Sequence, residues 1–124
     1  MKVLNNEFGK YLKELRHSRN PHVTQEELAK AIGRVKMTIS QFEQGKNAPP
    51  QGELLDKMIN ALKLSEEEET KFRYLAAESR HTMPSDIEEY FYNNPNICKI
   101  IRAAKLANYD NGDWEKMILL INSK

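Results

Sequence analysis

One cysteine, no sustained apolar run and almost no net charge: each shortage in this 124-residue chain closes a class of function. Cys98 has no partner for an intrachain disulfide. Its neighbours Ile97, Ile100, Ile101 and Ala104 share a helical pattern, so it is expected to be a small core or boundary residue without chemistry of its own. The longest apolar run, Met117 to Ile121, falls far short of the roughly 20 residues that a membrane-crossing helix needs. The first twenty residues carry charges throughout where a signal peptide needs an apolar stretch, and the expected location is cytoplasmic. The three histidines, His17, His22 and His81, lack metal-ligand spacing. No glycine loop is laid out to cradle a phosphate, and no Ser or Cys stands in a recognisable nucleophile setting. Neither an enzyme nor a bound metal or cofactor is expected.

What the sequence does contain is helix after helix, with no convincing period-2 strand. Leu4, Phe8, Leu12 and Leu15, with Tyr11 beside them, mark a first helix. Thr24 with Glu27 three residues on has the form of a capping box for a second, which buries Leu28 and Ile32 and stops at Gly33. A third follows to Gly45. Asn47 to Pro50 break the chain before a fourth helix carrying Leu54, Leu55, Met58, Ile59 and Leu62. Ser65 and Glu68 cap a fifth, with Phe72, Leu75 and Ala76 inward. The acidic run Glu66 to Glu69 complements that helix's dipole and stays solvated, which explains it better than a cation site does.

A boundary is predicted at residues 80–85, dividing the chain into 1–82 and 83–124. Three short helices follow it, over about 85–93, 96–107 and 111–121, the last capped by Asp110 and stapled by Tyr109 and Trp114. Trp114, Met117, Ile118 and Ile121 form its apolar stripe. The expected class is therefore all-α: five N-terminal helices and a small three-helix segment with more apolar surface than it hides by itself.

The net charge of +1 hides an uneven distribution. Residues 1–50 hold nine Lys/Arg against five Glu, while residues 51–82 and 83–124 are each slightly acidic. The basic segment also contains an oddity. In Gly33 to Lys46 the helical period puts Val35, Ile39 and Phe42 on one stripe and Met37 nearly opposite, among Lys36, Ser40, Gln41 and Gln44. A helix from Thr24, a glycine turn, and a second helix with a buried stripe and a polar outer face is the spacing of a helix-turn-helix, whose second helix enters the major groove of DNA.

The stretch VTQEELAKAIGRVKMTISQFEQGK resembles the Cro/lambda-repressor-like regulators, the xenobiotic-response-element family. It does so at Thr24, Gln25, Leu28, Ala29, Gly33, Ile39, Glu43 and Gly45, and the resemblance covers about residues 6–64. It implies a five-helix, lambda-repressor-like DNA-binding domain. Two departures stand out. Arg34 then Val35 replaces the usual apolar residue and Ser/Thr cap, which shifts the expected core contact one position to Val35 and leaves the third helix without its cap. The loop Ser18 to Val23 is longer than the family's tight turn.

On this resemblance the base-reading set is Lys36, Met37, Ser40, Gln41 and Gln44: Met meets the thymine methyl, Lys bonds guanine and Gln reaches adenine. Phosphate contacts are expected from Thr24, Gln25, Arg34, Lys46 and Asn47, with Arg19 as an addition. Arg16 and Glu43 match positions that pair as a structural salt bridge. The resemblance also implies a repressor acting as a homodimer on a palindromic double-stranded operator. The alternative reading is an antitoxin-like protein whose residues 83–124 bind a toxin or peptidase while its DNA binding is autoregulatory.

Overall fold

Three helix starts are tied by reciprocal capping boxes. Thr24, Ser65 and Asp110 each accept a bond from the backbone N–H three residues on, and the side chains of Glu27, Glu68 and Asp113 each accept one from the cap residue's own N–H. The computed structural model describes residues 6–124; Leu4, placed above in the first helix, lies outside them. The order is α1 (Glu7–Ser18), α2 (Gln25–Ala31), α3 (Lys36–Gln44), α4 (Glu53–Leu62), α5 (Glu66–Arg80), α6 (Ser85–Tyr92), α7 (Asn96–Leu106) and α8 (Asn111–Asn122), with no strand among the described residues. No described helix is long and apolar enough to cross a membrane. The chain divides into two compact units, which meet inside α6 between Glu88 and Glu89.

In the first unit, α2 and α3 pack on each other, α1 crosses α3 and α5, and α4 backs α2. Their inward faces meet in one core: Phe8, Leu12 and Leu15 from α1, Leu28 and Ile32, Ile39 and Phe42 from α3, Leu55, Met58, Ile59 and Leu62 from α4, and Phe72 and Ala76 from α5. Burying each large side chain contributes about 1.5–3 kcal/mol, so this face-to-face fit is what holds five short helices in place. The Phe8 and Phe72 rings lie 4.7 Å apart between centroids and lock α1 to α5.

The close approach of α1 to the end of α3 depends on a glycine. A Cβ at Gly9 would lie 2.5 Å from the Glu43 carbonyl oxygen and 2.6 Å from that of Phe42, so only glycine lets the two backbones meet. Asn6 donates from Nδ2 to the same Glu43 carbonyl at 3.2 Å, satisfying a helix-end acceptor.

Val35 corrects the expected stripe. It is the N-cap of α3, in extended conformation, and is 67% exposed, so Ile39 and Phe42 alone anchor the inner face. The helical period was carried one residue too far: a cap residue has non-helical dihedrals and does not follow the face of the helix it precedes. No side chain caps α3 at this end.

The second unit is differently made. Asp110 begins α8, and the Tyr109 and Trp114 rings meet edge to face at 5.3 Å. Ala104 is the only buried residue among those described in this unit, while Cys98 and Met117 are half-buried. Ile100, Leu106, Ile118, Leu119, Leu120 and Ile121 are exposed. The stripe read from Trp114 to Ile121 is helical, but most of it faces outward.

Candidate nucleic-acid interface

Helix α3 is held by its inner face and left open on the other. With Ile39 and Phe42 in the core, Lys36, Ser40, Gln44, Met37 and Gln41 fall in an arc of roughly 140° on the far side, at about 100° per residue. Lys36 and Gln44 are exposed, Ser40 and Gln41 half-exposed, and Met37 is 62% exposed.

The rigidity of that presentation comes from one ion pair. Arg16 of α1 donates from Nε and Nη2 to the two carboxylate oxygens of Glu43 on α3, at 2.5 and 2.8 Å, and the side chains are only 7% and 5% exposed. Two further bonds complete it: Arg16 Nη1 donates to the Val23 carbonyl at 2.9 Å, and Gln25 Nε2 donates to Glu43 Oε1 at 3.0 Å. The network thus joins α1, the loop before α2, α2 and α3. A bidentate pair with its remaining donors and acceptors satisfied is the form in which buried charge is tolerable.

The frame around α3 is built from helix ends. Thr24 caps α2 by accepting from the Glu27 backbone N–H, and its own backbone N–H, then its hydroxyl, hold the Glu27 carboxyl below the ordinary range. Gln25 stands beside it with its amide committed to Glu43 through one of two N–H bonds, so it has one donor in hand. Arg34 is exposed and donates to the Gly33 carbonyl.

After α3, Gly45 takes a left-handed conformation at φ 76°. The Lys46 N–H bonds back to the Gln41 carbonyl and the Gly45 N–H to that of Phe42, which is a Schellman closure. This turn leaves the Lys46 side chain exposed and brings Asn47 back over α3, where its Nδ2 donates to Gln41 Oε1 at 2.7 Å. Gln44 Nε2 donates to Ser40 Oγ at 2.9 Å.

Arg19 belongs elsewhere. It donates to both carboxylate oxygens of Glu68 and to the Leu62 carbonyl, tying the end of α1 to the corner between α4 and α5. The Arg19 guanidinium, followed by the Ser65 backbone N–H, pulls the Glu68 carboxyl down to about 2. This corrects the phosphate role considered for Arg19, whose charge is consumed inside the fold.

The linkages that sequence reasoning missed are Asn6 to Glu43, Arg16 to Val23, Gln25 to Glu43 and Asn47 to Gln41. Only the last has a signal in the sequence: a glycine that ends a helix in a Schellman turn returns the next residues to its final turn. The others are set by tertiary approach.

With this geometry in view, the sequence model of one protein family, described as a helix-turn-helix domain, matches residues 7–72, the segment that contains α1 to α4 and the start of α5. No curated protein and no solved structure matches the chain. The match covers more than half of the sequence, and the chain belongs to this family of XRE/Cro-like helix-turn-helix DNA-binding domains.

Proposed function

We propose that the protein is a sequence-specific transcriptional repressor that lays α3 in the major groove of double-stranded DNA. The observation that carries this reading is the outward face of α3: an apolar Met37 turned away from the core, flanked by hydrogen-bonding Lys36, Ser40, Gln41 and Gln44, on a helix fixed by a buried ion pair. Base edges are read by such a mixture, since thymine offers a methyl group and every pair offers donors and acceptors. Thr24, Gln25, Arg34, Lys46 and Asn47 surround that face and take the phosphates, positioning the helix without reading sequence.

Selection of bound fragments from the native genome, followed by titration of the recovered operator, tests the reading. Met37→Ala is expected to cost about 1–3 kcal/mol on the best operator, to relax one or two base pairs and to leave random-sequence binding nearly intact. Equal loss on operator and random DNA would show that α3 reads nothing.

The protein acts as a homodimer on a palindrome, with the C-terminal unit supplying the contact between copies. One helix-turn-helix reads too few bases for strong selectivity. Four consecutive exposed residues, Ile118 to Ile121, face every side of the last turn of α8, and a turn that is apolar all round calls for a surface that surrounds it. Measurement of the mass in solution with and without residues 83–124 tests this. A monomeric full chain that instead captures a toxin or peptidase through the same helices would replace the dimer with the partner-binding reading.

A further inference from the structure

The base that a glutamine reads depends on which end of its carboxamide faces the groove. A free glutamine pairs with adenine by accepting from N6 through its oxygen while donating to N7. At position 41 the oxygen is turned toward Asn47, whose Nδ2 donates to Gln41 Oε1 at 2.7 Å. Asn47 is not a chance neighbour, because the Schellman turn at Gly45 binds its segment to the same residue. The Lys46 N–H reaches the Gln41 carbonyl at 2.9 Å and the Asn47 N–H reaches it at 3.4 Å. A Cβ at Gly45 would meet Asn6 Oδ1 at 2.7 Å and would be strained at φ 76°, so the turn that delivers Asn47 is itself fixed.

The Gln41 amino group lies on the opposite side of the carboxamide and has no hydrogen-bond partner among the described residues. Ser40 is similarly polarised, since its oxygen accepts from Gln44 and its hydroxyl hydrogen remains to be given. Lys36 carries donors only. The outward face of α3 thus offers donors from Lys36, Ser40 and Gln41 beside the apolar Met37, with the Gln44 oxygen left as an acceptor at its C-terminal end.

Resting on the major-groove reading above, we propose that Asn47, besides its place in the phosphate frame, is a positioning residue that turns Gln41 into a donor and so sets its preference to guanine rather than adenine. Guanine presents two adjacent acceptors, O6 and N7, to an amino group whose companion oxygen is turned away toward Asn47. The specificity of the recognition helix is thus determined partly from beyond its own C-terminus.

The test is selection of operators from a random double-stranded pool with the full chain and its variants. Circular dichroism checks that each variant is folded, and Gln41→Ala identifies the base pair that Gln41 governs. The wild-type chain is expected to show guanine at that position. In Asn47→Asp, residue 47 only accepts; the Gln41 amino group turns toward it, the oxygen turns outward, and guanine gives way to adenine or cytosine on the same strand by on the order of tenfold. Asn47→Ala should blur guanine and adenine without creating a new preference. The Asn47→Asp shift should vanish when Gln41→Ala is added. Adenine at that position in the wild type, or guanine retained in Asn47→Asp while affinity falls equally on all sequences, overturns the assignment but leaves the major-groove reading standing. A folded wild-type chain that selects no sequence overturns both.

Discussion

The two units use nearly the same residue types and do opposite things with them. Among the described residues up to Glu88 most large aliphatic and aromatic side chains point inward, and the exceptions, Val35, Met37, Tyr74 and Ile87, stand singly. From Glu89 onward the same kinds of side chain point outward, with Tyr90, Tyr92, Ile100, Leu106 and Ile118 to Ile121 exposed and only Ala104 buried among those described. Single exposed apolar residues are ordinary on a protein surface, whereas a contiguous set marks a contact surface. Amphipathic pattern therefore predicts where helices form in both units, but it identifies a completed core only in the first. In the second, the same pattern leaves its apolar side chains exposed.

That contrast breaks most sharply at the buried ion pair, which has no counterpart in the C-terminal unit among the described residues. Arg16→Met would leave the Glu43 carboxylate buried with only the Gln25 amide and remove the donor to the Val23 carbonyl. Removal of one member of such a pair costs about 3–5 kcal/mol, a large part of the stability of a domain of this size. Urea titration should show the loss, and adding Glu43→Gln to Arg16→Met should recover part of it. A loss below about 1 kcal/mol would mean that the pair is not the keystone joining α1, α2 and α3.

A charge tells the two kinds of apolar residue apart. Leu28→Lys places an ammonium in the core and should unfold the N-terminal unit. Leu119→Lys combined with Leu120→Lys puts charge on side chains already in water, so the helical signal should be unchanged. On the dimer reading, the dissociation constant followed by sedimentation should rise by at least on the order of ten-thousandfold, because four side chains across the two copies each forfeit about 1.5–3 kcal/mol of burial. Unfolding of that double variant would show that α8 completes its own unit's core after all.

Much of the N-terminal unit was legible because its signals are local. The Thr24 and Ser65 boxes, the glycine stops at Gly33 and Gly45, and the spacing of Leu28, Ile39 and Phe42 each depend on residues within a turn or two. Val35 leaves the expected stripe because periodicity has no information about where a helix begins when the cap is absent. Arg19 reads as free for DNA because the sequence does not show that Glu68, forty-nine residues away, receives it. Gly9 carried no recognisable signal at all: its requirement arises from a backbone that crosses it from another helix.

The Arg19 and Glu68 link offers a gentler comparison, through pH. Glu68 is held at about 2 in the folded chain against an ordinary 4.5, so the folded state binds this proton less readily than the unfolded state. The stabilisation is complete above 4.5 and fades as the pH falls through about 2, below which the carboxyl is protonated in both states. Glu68→Gln should cost about 1–2 kcal/mol near neutrality, the pair being only partly shielded from water. The difference from the wild type should close over that acidic window. A Glu68→Gln deficit that persists below pH 2 would mean that packing, not charge, is what Glu68 supplies.

The smallest expected effect separates the units by what their lysines touch. Lys46 stands exposed just past the end of α3, in the basic half of the sequence, while Lys116 stands exposed on α8 in a segment that is slightly acidic. A lysine on a phosphate releases a counterion, and each such contact adds about 0.9 to the slope of log affinity against log salt. Lys46→Ala should therefore lower the slope by about one, and should weaken operator and random DNA by a similar, modest factor, since a phosphate contact carries no sequence information. Lys116→Ala should leave the slope where it was. The two titrations, run on the same operator over the same salt range, isolate the contact from net charge, because each variant loses one positive charge. Equal slopes for the two variants would mean that Lys46 acts only through the overall field of the protein, and the phosphate frame would have to be redrawn around Thr24, Gln25 and Arg34.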